Sequence, residues 1–169
     1  MPQNLRNGAD ASSVDYTKLF TITVSDIYLG KAVLYDYLPL MVGKATSQEL
    51  KHTILNVAIS ISAQLLRLNF ILAILKQILL NHTPLVREMS DLPAYLERDL
   101  LDISDYSTDI LLLVHLNIVE TKEIESFRLL QKLARKLQNK NIAQYLHRNL
   151  QDALSSKLAL EQLLDSFVN

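Results

Sequence analysis

Residues 94–169 read AYLERDLLDISDYSTDILLLVHLNIVETKEIESFRLLQKLARKLQNKNIAQYLHRNLQDALSSKLALEQLLDSFVN and contain neither glycine nor proline. A second stretch without either residue runs from Lys44 to Thr83. Glycine and proline are the strongest helix breakers and turn markers. Their absence, with leucines recurring every three or four positions, predicts an all-α chain of long helices.

Working outward from these stretches, apolar spacing sets the elements. The first predicted helix covers Asp15 to Val42 through Phe20, Val24, Ile27, Leu34, Leu38 and Met41. Pro39 predicts a kink or early end there, and Gly43 a C-terminal stop. The second opens at Thr46-Ser47, with Glu49 completing a capping box from Thr46, and continues to Leu80. Its stripe is Leu50, Ile54, Val57, Ile61, Leu65, Leu68, Leu72, Leu75 and Leu79. A second stripe lies beside it: Ile59, Leu66, Phe70, Ala73 and Ile74. So wide an apolar surface demands burial on more than one side, within one bundle or along the seam of a homodimer.

Asn81 to Pro93 reads as a crossover. The third helix begins near Leu96 or after Asp105, with Ser104 and Ser107 as candidate caps. It reaches Leu137 along Leu112, Leu116, Val119, Glu123, Phe127, Leu130 and Ala134. Gln138 to Asn141 supplies a turn. The last helix runs from Asn141 to Phe167 through Ile142, Leu146, Leu150, Ala153, Leu160 and Leu164. Four long helices with a crossover between the second and third describe a ferritin-like four-helix bundle over residues 15–169. Residues 1–14 are polar and irregular and read as a disordered leader.

Composition narrows the chemistry. A chain of 169 residues buries about two-thirds of its unfolded surface and needs no staple. Without cysteine, thiolate metal sites, disulfides and thiol catalysis are excluded. Net charge is -1, which gives no general attraction to nucleic acid or anionic membranes. The stretch Ala58 to Leu80 approaches membrane-span length, but Arg67 near its centre costs about 2.5–3.5 kcal/mol on insertion. Gln64, Asn69 and Gln77 add to that, so the segment reads as a buried helix of a bundle. No basic n-region precedes an apolar core at the N-terminus, so no signal peptide is expected.

Glu120 and Glu123 share a helix face, and Glu123 lies on the apolar stripe itself. Lys31 continues the inward phase of Ile27 and Leu34. The histidines are His52, His82, His115 and His147; Glu49 and His52 form the one Glu-x-x-His, read as a cap and a surface side chain. No catalytic Ser, His and Asp spacing or phosphate loop is present. Acids at Asp91, Glu97, Asp99, Asp102, Asp105 and Asp109 precede bases at Arg128, Lys132, Arg135, Lys136, Lys140 and Arg148. Acid first and base last suits a helix dipole.

The order Asp26-Ile27-Tyr28, Leu34, Leu38-Pro39, Met41, Ala45, Ser47, Glu49-Leu50-Lys51, Gln64 and Arg67-Leu68 resembles the YciF-like family of ferritin-like bacterial stress proteins. The likeness continues through Asp109, Val119-Glu120, Glu123-Ile124 and Leu130. It implies a cytoplasmic helical bundle that dimerises, which favours the homodimer seam. It also implies a metal site that this chain has lost. Lys31 stands where the family has a glutamate. Val57 and Ser60 replace a histidine and a glutamate. Thr121 and Lys122 interrupt a Glu-His-Tyr-Glu run, and Ala153 replaces a further glutamate, with Asp152 beside it. Only Glu120 and Glu123 remain. Two carboxylates on one helix do not make a two-metal site, which takes ligands from facing helices.

The expectation is therefore a metal-free, non-catalytic, dimeric protein with a structural or interaction role in stress. It carries no cofactor and engages neither nucleic acid nor membrane. Lys31 is expected to neutralise Glu120 or Glu123 in the interior. Two other readings stay open: an iron- or manganese-binding redox or iron-handling protein, and a carrier of small apolar ligands.

Overall fold

The computed structural model describes residues 15–80 and 104–169. The leader, the crossover from Asn81 to Pro93, His82 and the acids from Asp91 to Asp102 lie outside the described residues. Helix α1 spans Tyr16–Lys44, α2 Gln48–Ile74, α3 Asp105–Leu137 and α4 Lys140–Val168. No strand occurs among the described residues.

The ends are set by local chemistry. Asp15, Ser47, Ser104 and Asn139 each cap a helix by accepting first-turn amide protons. Ser47, not Thr46, is therefore the cap of α2, and Leu50 N–H donates to its Oγ (3.3 Å). Thr46 is engaged elsewhere: its N–H and hydroxyl both donate to the Asp109 carboxylate (2.7 Å each), which also receives Ser47 N–H (2.8 Å). Asp109, read from sequence as one of an acidic run, is a buried clamp between α3 and the start of α2. Its negative charge sits where the α2 dipole favours it.

Pro39 neither ends nor breaks α1, which continues to Lys44. Pro39 and Tyr35 are both exposed, so water can serve the Tyr35 carbonyl that the proline leaves without a helical donor. Leu38 and Met41 pack on the opposite side and hold the helix. Gly43 lies within the helix, and Ala45 is the cap. Helix α2 stops six residues before the expected Leu80. Lys76 takes a left-handed conformation (φ 52°). Lys76 N–H donates to Ala73 O (3.1 Å) and Gln77 N–H to Leu72 O (3.0 Å), the paired bonds of a Schellman motif built without glycine.

The helices form a ring in the order α1, α2, α4, α3. Short connections make α1 and α2 antiparallel, and likewise α3 and α4. The Asp109 clamp places the starts of α2 and α3 at the same end, so these diagonal helices run parallel. That is the ferritin-like topology. All of the α1 and α3 stripe residues named above are buried, except half-buried Leu137. The interior divides into two apolar clusters. One gathers Leu34, Val57, Leu116 and Val119; the other gathers Ile27, Ile124, Phe127 and Ala153. Along α1 and α3, Lys31 and Glu123 fall between these clusters.

The second stripe of α2 is largely exposed, apart from Phe70, whose ring lies 5.9 Å from that of Tyr145 on α4. Ile59 is 69% exposed and Leu66 55%, with Leu55, Phe70 and Ile74 beside them. Helix α2 is long and apolar enough to cross a membrane by length and composition. Its Gln64 and Arg67, however, are committed to α4.

Candidate functional site

The charged layer is built by two antiparallel helices. From α1, Lys31 projects inward as the sequence phase requires, and it is 1% exposed. Its ammonium forms an ion pair with Glu123 of α3. The Phe127 ring, one turn on, lies 5.2 Å from the Lys31 nitrogen, adding a cation–π contact on a dry face. Glu120 sits one turn before Glu123 and is also 1% exposed, and neither of its carboxyl oxygens has a hydrogen-bond partner. Burial, and after it the neighbouring Glu123 charge, raise its pKa to about 8 against the opposing pull of Lys31 and Lys157. Near neutral pH, Glu120 is thus a protonated acid in the core.

The other predicted positions do not join this group as donors. Val57 is packed in the first apolar cluster and Ala153 in the second. Ser60 accepts a hydrogen bond from Gln64 Nε2 (3.3 Å). Thr121 is exposed; its hydroxyl donates to Asn117 O (2.8 Å) and accepts from Lys157 of α4 (3.0 Å). Asp152 pairs outward with Arg67. His52 and His147 are exposed, as is Glu49. Burial, then the Lys122 charge, lowers the pKa of half-buried His115. The donor set does not fit a divalent metal. Among the described residues no three His, Cys, Asp or Glu side chains converge, and an ammonium group occupies the face of Glu123 that a cation would need.

Sequence reasoning missed a second buried cluster, between α2 and α4. Gln64 and Asn149 are fully buried. Asn149 Nδ2 donates to Gln64 O, and Gln64 Nε2 donates to Asn149 O (3.4 Å each). Arg67 donates to Asn149 Oδ1 (3.0 Å) and to Asp152. The sequence signals were Gln64 and Asn149 falling on inward phases of their helices, and Gln64 and Arg67 belonging to the family-like pattern.

A model of the family described as Domain of unknown function (DUF892) matches residues 15–169. The chain belongs to this family. The stress protein YciF of E. coli shares its fold with a TM-score of 0.83 at 18% identity, over 93% of this chain and 99% of that one. YcfI of Rhodopseudomonas palustris, described as "a putative structural protein", gives a TM-score of 0.78 at 20% identity, over 90% of this chain and 96% of that one. No curated protein sequence matches. The family is therefore YciF-like, and the fold is a ferritin-like four-helix bundle.

Proposed function

We propose that this chain is a metal-free, non-catalytic member of its family, a homodimeric protein of the cytoplasm that acts through its shape and surface in a structural or stress-related role. One observation carries the metal-free part: the Lys31 ammonium fills the face of Glu123, while the facing helices contribute Val57 and Ala153 where ligands would stand. The names given to the two similar structures, a stress protein and a structural protein, agree with a role outside catalysis. The exposed stripe of α2 supports the dimer, since a contiguous apolar face is unfavourable in water. A second copy is the occupant that a non-catalytic scaffold would place there.

Metal analysis of protein expressed with iron and manganese supplied tests the first part. The expected result is no stoichiometric metal; bound transition metal lost on replacing Glu120 and Glu123 would overturn it. Light scattering tests the second. A dimer is expected at micromolar concentration, shifting to monomer in the Ile59→Glu, Leu66→Glu double variant. A monomeric parent protein would refute the seam. The ligand-carrier reading needs an enclosed apolar cavity, and nothing observed favours it: Val57 and Ala153 sit in packed clusters, and the groove of about 410 Å³ between α2 and α4 lies at the bundle surface beside exposed Ile59.

A further inference from the structure

The exposed stripe of α2 has nearly the same make-up in both directions from its middle. Ser62 and Ala63, both small, mark that middle. Ile59 and Leu66 stand equally far to either side of it, and Leu55 and Phe70 equally far beyond them. Exposure follows the same symmetry, at 69% and 55% for the inner pair and 49% and 46% for the outer. We propose that two copies of this chain pair through α2 in antiparallel register, with the two-fold axis passing between Ser62 and Ala63. This rests on the reading above that a second copy covers the stripe, and it adds which residues meet.

A two-fold interface is self-complementary: if one residue meets a second across the axis, the second also meets the first. An antiparallel pair of α2 helices centred at Ser62 and Ala63 satisfies that condition with large apolar groups level with one another. Ile59 lies level with the partner's Leu66, and Leu55 with the partner's Phe70. Pairing them removes the most exposed apolar side chains of the helix from water. The small side chains at the centre let the two axes approach to the roughly 8–10 Å of packed helices. Phe70 is already steadied on one side by the Tyr145 ring of α4 at 5.9 Å, yet it keeps an open surface.

Charge supports the direction. Between Leu55 and Ile74 the only charged side chain of α2 is Arg67, and its bonds to Asn149 and Asp152 commit it to α4. Glu49 and Lys76 stand equally far from the middle, near opposite ends of the helix. Both are exposed, and neither has an ion pair among the described residues. Antiparallel pairing brings Glu49 level with the partner's Lys76. Parallel pairing would set like charge beside like and align the two helix dipoles unfavourably. Lys51, half-buried in the first turn, comes level with the partner's Ile74 and meets no like charge.

The chain has no cysteine, so introduced cysteines report the register directly. The test is mild oxidation of the full-length double variant Ile59→Cys, Leu66→Cys, followed by electrophoresis without reductant. Covalent dimer is expected as its main species. Each single variant is expected to stay mostly uncrosslinked, because its two thiols stand about 10 Å apart along the axis, whereas a disulfide needs Cβ atoms about 4 Å apart. Leu55→Cys, Phe70→Cys repeats the measurement with the inner residues intact, so a seam weakened in the first variant does not decide the result. Single variants that cross-link as fully as the doubles overturn the antiparallel register in favour of a parallel one. A dimer by light scattering in which neither double variant cross-links overturns the register but leaves dimerisation standing. A monomeric parent overturns both and leaves the stripe to a different partner.

Discussion

The seam between α1 and α3 and the seam between α2 and α4 both carry polar groups at mid-height, and they accommodate them in opposite ways. Between α2 and α4 the core groups are neutral amides, Gln64 and Asn149, that exchange hydrogen bonds with each other's backbone carbonyls. The charges there, Arg67 and Asp152, stay partly in water. Between α1 and α3 the charges themselves are buried, and Glu120 is left without a partner. The neutral pair bonds reciprocally and leaves only the uncharged Gln64 Oε1 without a partner, a smaller penalty than an unpaired carboxyl group. A dry ion pair is held together largely because separating it is so unfavourable. The first seam joins its helices through neutral amides, the second through a buried charge pair.

Four substitutions break or sharpen this contrast. The largest effect is expected for Lys31→Met, which leaves Glu123 buried without its cation and should lower stability by about 3–5 kcal/mol. Urea denaturation checks it, and a loss no greater than that of Arg67→Met would make the two seams equivalent.

The second concerns pH. The unfolded chain releases the Glu120 proton near the ordinary carboxylate value of 4.5, while the folded protein keeps it to about 8. Between those values the folded state binds the extra proton, so this group's contribution falls as pH rises and is fully lost above about 8. Glu120→Gln should remove that decline, worth roughly 5 kcal/mol across the window. Parallel stability profiles of parent and variant from pH 5 to 9 would contradict it.

At the neutral seam, Asn149→Ala removes both side-chain bonds and strands the Arg67 contact. A loss of about 1–3 kcal/mol is expected, independent of pH over the same range. The smallest effect belongs to Arg67→Met. Its pair with Asp152 is partly solvated, with side-chain exposures of 21% and 34%, so about 0.2–1 kcal/mol is expected, shrinking with added salt.

Much of the fold was legible in the sequence because helix periodicity is a local property. The stripes of α1 and α3, including the inward phases of Lys31 and Glu123, follow from 3.6-residue spacing alone. The errors came where tertiary surroundings override a local signal. Pro39 signals a kink or early end, yet α1 does not end there and continues to Lys44. Lys76, with no glycine to announce it, ends α2 in a left-handed turn. Glu49 was assigned to a capping box with Thr46, but Thr46 belongs to Asp109, a residue 63 positions away.

By itself, then, the sequence determined that this chain forms long helices, which faces turn inward, and that an amine and two carboxylates would lie on those faces. Phase tells a side chain which way to point, and it is fixed by neighbours three and four residues off. It does not tell which helix will stand opposite. That Lys31 meets Glu123 and leaves Glu120 alone, that Asn149 meets Gln64, and that one flank of α2 stays largely exposed were decided only when the helices packed. Partner choice depends on contacts between segments far apart in the chain, and local spacing holds no record of them.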